Sequence, residues 1–396
     1  MKGGTTIGTH EAKGQKTTGP PPWRPYHPIA PDRASRFRGA LLGGAVGDAL
    51  GAPVEFMSLE AIRSQFGSGG IRDLYSDCGR PGEITDDTQM SLFTAEGLLR
   101  GHVRERLGGS GTLAATVAHA YQRWLITQGV RRRGNPTGMD GWLITHGELF
   151  SVRAPGNTCI SALTARESLA DLGPVRNQSK GCGGVMRVAP IGLHAAARGL
   201  SPGQAFTLGR DVSALTHGHP TGQLPGAVLA MLICEVVQGG DLREGLRDAK
   251  EVLRRQPAHE ETLAAITAAE TLASGATPDP EALQRLGQGW VAEEALAVAL
   301  FCSLRAGNLE EGVIMAANIT GDSDSTAAIT GNLLGAALGV HEIPDRWLEP
   351  LELKRVIIEM ADDLATLDAW AITASGQETP AAATERLYWQ GRYPGW

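Results

Sequence analysis

Four glycines at a spacing of four, Gly39, Gly43, Gly47 and Gly51, constrain this 396-residue chain more than any other feature. In a helix they share one face. Each costs ~1 kcal/mol against alanine in a helix interior, so four in register need a reason, and close approach of another backbone supplies one. The segment that carries them, RFRGALLGGAVGDALGAPVEF from Arg36, is expected to sit at the centre of the molecule. Pro53 should end that helix near Ala52 and leave Glu55 in an exit loop, and Ser58 reads as the N-cap of a second, short helix.

A second small-residue stretch, NITGDSDSTAAITGNLLGAALG from Asn318 to Gly339, offers a partner for the glycine face. It opens on an acidic box. Asp322 and Asp324 would stand about 200° apart around a helix, so they act together only from a loop or a first turn. There, unpaired N–H groups and the dipole favour carboxylates, and Gly321 supplies the backbone freedom the turn needs.

The other acidic box is Thr85-Asp86-Asp87-Thr88. Taken alone it reads as N-capping of an amphipathic helix carrying Met90, Leu92, Phe93, Leu98 and Leu99. Taken together, the two boxes supply Thr85, Asp86, Asp87, Asp322, Asp324 and Ser325, all oxygen donors. Such a set suits Mg²⁺ or Mn²⁺, and four gathered acids repel one another unless cations neutralise them. A two-metal centre, with ions about 3.5–4 Å apart, is the expectation.

Alanine and leucine dominate and β-branched alternation is scarce, which predicts an all-α, compact, single-domain, multi-helix fold. Residues 1–35 read as a flexible Pro/Gly-rich arm, 36–375 as the helical domain, and 376–396 as an aromatic tail packed on it. Asn157 is expected to cap a helix over Thr158 to Leu169, Ile71 to Tyr75 to form a short extended piece, and Leu348 to Trp370 to form a last long helical region. Arg131 to Arg133 lie in an aperiodic loop and read as solvated.

A net charge of −7 disfavours a nucleic-acid partner. The five cysteines are odd in number and lack CxxC spacing, which fits a reducing cytoplasm. The longest apolar runs, around Ala227 to Val237 and Ala295 to Leu304, fall short of the ~20 residues a membrane span needs. SKGCGGVMRVAPIGL, Ser179 to Leu193, has the glycine turn of a phosphate cradle, a weak pattern without a preceding strand. Cys182 reads as a packing residue rather than a nucleophile, and His217 and His219 sit at turns suited to ligand hydrogen bonds.

The boxes RGALLGGAVGDALGAPVEF, ITDDTQM, RAPGNTCISAL, GCGGVMRVAPIGL, LTHGHPTG and NITGDSDSTAAITGNLLGAALG follow one another between about Arg38 and Gly339. In that order the chain resembles the ADP-ribosylglycohydrolases, which include the dinitrogenase reductase-activating glycohydrolases of bacteria. The resemblance implies an all-α fold with a di-metal site, Mg²⁺ or Mn²⁺, at the base of an ADP-ribose cleft. It implies Thr85, Asp86, Asp87, Asp322, Asp324 and Ser325 as metal ligands, with Ser325 standing where relatives have Thr. It places Ser179, Lys180, Gly181, Cys182 and Gly183 at the diphosphate, His217 near the distal ribose and Glu55 beside the metals. Some relatives have Asn where this chain has Cys182.

The activity it implies is hydrolysis at C1 of the distal ribose, freeing an ADP-ribosylated protein side chain, with modified arginine as the leading expectation. Glu55, Asp86, Asp87 or Asp322 would handle the protons. An alternative is an immunity-type protein that occludes an ADP-ribosyltransferase through the N-terminal arm.

Overall fold

The glycine helix α1 spans Pro31–Gly51, with Pro31 pre-setting its first φ and Asp32 favouring its first turn. The computed structural model describes residues 23–76, 79–130, 139–166, 175–275, 283–373 and 378–395. Arg131 to Arg133 and residues 1–22 of the expected arm lie outside them. The expected boundary at residue 35 falls inside α1.

Among the described residues sixteen α-helices occur and no strand, only an isolated bridge between Gly181 and Val291. After α1 come α2 (Leu59–Phe66), α3 (Asp86–Arg106), α4 (Leu113–Thr127), α5 (Asn157–Thr164) and α6 (Ala189–Ala197). Then follow α7 (Pro202–Ser213), α8 (Leu224–Val237), α9 (Leu242–Leu253), α10 (Glu260–Ala273) and α11 (Ala292–Arg305). The chain ends with α12 (Leu309–Ala317), α13 (Ser323–Leu338), α14 (Asp345–Leu348), α15 (Lys354–Thr366) and α16 (Pro380–Arg392).

Helices α1 and α13 form the axis of the fold. A Cβ added at Gly39, Gly43, Gly47 or Gly51 would stand 2.2–2.3 Å from the carbonyl oxygen of Gly335, Gly331, Ala327 or Ser323 respectively. Each step of four up α1 meets a step of four down α13, so the pair is antiparallel with backbone against backbone. That register sets the C-terminal end of α1 beside the N-terminal end of α13, and the site is built there. Gly47→Ala should therefore destabilise the fold by about 1–3 kcal/mol through overpacking, although alanine favours the helix by ~1 kcal/mol. Equilibrium denaturation measures the sign.

The other helices wrap this pair, α15 and α6 against it and α3/α4, α7/α8 and α10/α11 as packed pairs. The window Pro220–Val237 is long and apolar enough to cross a membrane by composition alone, yet 83% of it is buried inside this fold.

Three expected elements differ. Gly156 is the N-cap of α5 and Asn157 its first residue. The expected region from Leu348 to Trp370 is broken, because Pro350 cannot continue α14 and Leu353 takes φ 55° before α15 begins. Ile71 to Tyr75 finds no strand partner; the Asn318 side chain accepts from Ile71 N and donates to Ile71 O, both at 2.8 Å.

At the far end of α1, residues 23–30 lie against α15 and α16. Buried Asp363 accepts from Arg24 at 2.6 Å and from Arg392 at 2.7 Å, and Trp389 of α16 stacks on Trp370 with centroids 3.6 Å apart. At 1.5 Å per residue this junction is roughly 30 Å along α1 from the acidic boxes.

Candidate functional site

Three chain segments converge where α1 ends and α13 begins. Thr85 caps α3, its Oγ1 accepting from Asp87 N at 3.3 Å, so capping and site-building are done by one box. Asp322 caps α13, its Oδ1 accepting from Ser325 N at 3.2 Å. Gly321 makes the preceding turn with φ +134°, and a Cβ there would stand 2.1 Å from the Gln288 carbonyl oxygen.

Asp48, on α1, anchors the first of the two boxes. Its carboxylate accepts from Thr85 N at 3.0 and 3.1 Å, from Thr88 N at 3.1 Å and from Thr88 Oγ1 at 2.5 Å. Asp86 Oδ2 accepts from Gly156 N at 3.1 Å. Asp324 Oδ1 accepts from Ser325 N at 2.9 Å, and Asp322 Oδ2 accepts from the Cys182 thiol at 2.8 Å. Thr85, Asp86, Asp87, Asp322, Asp324 and Ser325 are all buried; Glu55, just after the 3₁₀ turn Ala52–Val54, is partly exposed.

So many acids in one dry place disfavour one another's charge. Burial, then repulsion from Asp324, pushes Asp48 up to about 7. Burial pushes Asp86 up to about 8, and Asp324 and Asp48 add to it against the Gly156 hydrogen bond. Glu55 is pushed up to about 9 by burial and by Asp324, Asp322, Asp86 and Asp48. Asp87 and Asp322 stand well above the carboxylate range, by burial and then Asp324, and burial raises Asp324 itself.

Asp87 Oδ2 is buried with no hydrogen-bond partner. Among the described residues no three His, Cys, Asp or Glu side chains are drawn into a ready-made metal cage. The donor chemistry nevertheless fits hard divalent cations: only oxygens from the two boxes, an orphaned carboxylate oxygen, and a charge excess that cations would relieve.

Beside the acids runs the glycine turn. Cys182 N donates to Trp290 O at 3.2 Å and Ala292 N to Lys180 O at 2.8 Å, while Asp322 N donates to Gln288 O at 2.8 Å. The stretch 288–292 thus laces the turn to the acidic box. Ser179 Oγ lies 2.9 Å from Thr158 Oγ1 and accepts from Gly181 N at 3.3 Å.

His217 is buried against the turn, and Cβ atoms on Gly181 and Gly183 would stand 3.4 and 3.3 Å from its ring. Burial and Arg187 push it down to about 3, so it is neutral. Lys180 points elsewhere, its Nζ held by Glu261 at 2.6 Å and Glu293 at 3.1 Å. At the rim Phe56, 72% exposed and with φ 68°, stacks on Trp290 at 5.1 Å.

The sequence model of the ADP-ribosylglycohydrolases matches residues 30–372. The chain belongs to the ADP-ribosylglycohydrolase family. It is a hydrolase of that family by the same match and by its named relatives. It is 28% identical to an ADP-ribosylarginine hydrolase, Tri1, of Pseudomonas putida, over 85% of this chain and 80% of that protein. It is 26% identical to the ADP-ribosyl-[dinitrogen reductase] glycohydrolase of Rhodospirillum rubrum, over 85% of this chain and 98% of that protein. A solved structure titled ADP-ribosylglycohydrolase-related protein complex superposes with a TM-score of 0.61 at 26% identity, covering 85% of this chain and 99% of that one.

Within this ADP-ribosylglycohydrolase fold, Asp48 and the Phe56–Trp290 pair were missing from the sequence reading. An acid inside the otherwise apolar half of α1 from Gly39 to Gly51 was the available signal for Asp48. Nothing local pairs Phe56 with Trp290.

Proposed function

We propose that this protein is a divalent-cation-dependent hydrolase that releases ADP-ribose from modified arginine side chains of proteins, cleaving at C1 of the distal ribose. The observation that carries the reading is the convergence of the two acidic boxes and Asp48, with buried Asp87 Oδ2 unpartnered. Thr85, Asp86, Asp87, Asp322, Asp324 and Ser325 would hold Mg²⁺ or Mn²⁺. Bound there, the ions would neutralise the acids, orient ribose hydroxyls and supply an activated water.

Glu55 is the acid on this junction with solvent-facing surface, so it is the one suited to pass a proton at the bond being cleaved, ahead of Asp86, Asp87 and Asp322. Ser179, Gly181, Cys182 and Gly183, turning around neutral His217, form the wall suited to the diphosphate and distal ribose. Lys180 is withdrawn from that wall by its two acids.

Arginine as the leaving group rests on two supports. The Pseudomonas putida relative carries that activity in its name. The stacked Phe56 and Trp290 beside the acids give a planar, electron-rich face of the kind a guanidinium stacks on. The free thiols among the described residues, Cys159, Cys182, Cys234 and Cys302, suit a cytoplasmic setting.

ADP-ribose release from ADP-ribosyl-arginine, ADP-ribosyl-serine and ADP-ribosylated nucleic-acid ends, each with Mg²⁺, Mn²⁺ or chelator, tests all of this. The arginine conjugate should be cleaved fastest and the chelator should stop it. Release from serine alone would replace the leaving group, and release indifferent to chelator would remove the cation from the reaction.

A further inference from the structure

One donor at the acidic junction differs in kind from the rest. Cys182 Sγ lies 2.8 Å from Asp322 Oδ2 and 3.8 Å from Ser325 Oγ, a soft sulfur among hard oxygens. Its place is fixed by the backbone, because Cys182 N and Asp322 N donate to the carbonyls of Trp290 and Gln288 in one short stretch. A second observation points to a ligand here. Asp87 Oδ2 is buried without a partner, and Asp87 lies close enough for its charge to act on both Cys182 and Asp322.

We propose that Cys182 gives this centre a sulfur ligand for soft divalent cations, so that Zn²⁺ or Cd²⁺ entering at Asp322 binds Cys182 Sγ together with the Asp322 carboxylate and excludes Mg²⁺ or Mn²⁺ from that half of the site. The inference rests on the cation-binding reading above. Carboxylate oxygen binds Zn²⁺ at about 2.0–2.2 Å and thiolate sulfur at about 2.3 Å. With sulfur and oxygen already neighbours, an ion bonded to Asp322 Oδ2 has the sulfur beside it. The thiol S–H bond breaks, its proton goes to solvent, the metal–sulfur bond forms, and nothing is oxidised. Mg²⁺ prefers oxygen and leaves the thiol as a weak hydrogen-bond donor to Asp322. An asparagine at this position would offer no sulfur, so the trait belongs to the cysteine and not to the acidic boxes.

The test titrates Cd²⁺ into the full chain, free of added thiols, and reads the thiolate-to-metal absorption in the ultraviolet. Calorimetry with Mg²⁺ and Mn²⁺ runs alongside. Cys182→Ser keeps a hydroxyl donor toward Asp322 and removes only the sulfur; Cys182→Ala is the second variant should serine disturb folding. The parent should show the absorption band and Cys182→Ser should lose it, with Cd²⁺ affinity falling at least about tenfold while Mn²⁺ affinity changes less than about threefold. Cd²⁺ should displace Mn²⁺ from the parent at lower concentration than from the variant. A band that survives in Cys182→Ser, or a parent that binds Mn²⁺ yet shows no band with Cd²⁺, overturns the sulfur ligand and leaves the cation reading standing. A parent that binds none of the three ions overturns both.

Discussion

Asp324→Asn should make the protein more stable and nearly inactive at once. Asp324 is a source of the repulsion that raises Asp48, Glu55, Asp86, Asp87 and Asp322. Asparagine is close to it in shape and keeps an Oδ1 that can accept from Ser325 N, now 2.9 Å away, and Asp322 still caps the start of α13. What goes is one negative charge from a crowded, buried set. In the absence of divalent ions at about pH 8, the variant should gain about 1–2 kcal/mol in denaturant melts, the scale of one pKa unit of relieved repulsion. ADP-ribose release with saturating Mg²⁺ should fall at least about 10²-fold, as a proposed metal ligand is lost. A variant that is destabilised argues against charge crowding as the dominant strain. One that stays active removes Asp324 from the ligand set.

The reason such a trade-off could be foreseen lies partly in the sequence and partly outside it. Glycine every fourth residue on α1 announced a backbone-to-backbone contact, and the small residues after Asp322 identified α13 as the other face, because both patterns are local and periodic. The two acidic boxes could be paired by donor chemistry alone. Asp48 could not, since its partners Thr85 and Thr88 are 37 and 40 residues away and are reached only once α1 and α3 are packed. The stretch 288–292, which positions both Cys182 and Asp322 through main-chain bonds, has no side-chain signature at all. The resemblance places Lys180 with the glycine turn at the diphosphate, and only tertiary packing reveals Glu261 and Glu293 holding it. Cys182 reads from the sequence as a packing residue, and its hydrogen bond to Asp322 depends on residues 140 positions apart.

Divalent cations should stabilise the chelator-treated protein, and by more as pH rises. At a hundredfold excess over Kd the gain is about 2.7 kcal/mol for one site. The pH dependence follows from the direction of the acid shifts. Asp48, Asp86 and Glu55 have ordinary values of 3.8, 3.8 and 4.5 and stand at about 7, 8 and 9 in the fold. Between those limits the folded state holds protons that the unfolded chain has lost. Without cations, the stabilisation from these protons is fully present below about pH 4 and disappears as pH climbs through about 7 to 9. Cations bind the deprotonated carboxylates, so they compete with protons at low pH and replace them at high pH. Melting temperature in chelator should therefore decline from about pH 5 to about pH 9, while the curve in Mn²⁺ or Mg²⁺ stays flatter, and the gap between the two should widen steadily. Parallel curves would mean that the ions bind somewhere other than these acids. A gap that closes toward high pH would reverse the sign of the linkage and remove the carboxylate cluster as the cation site.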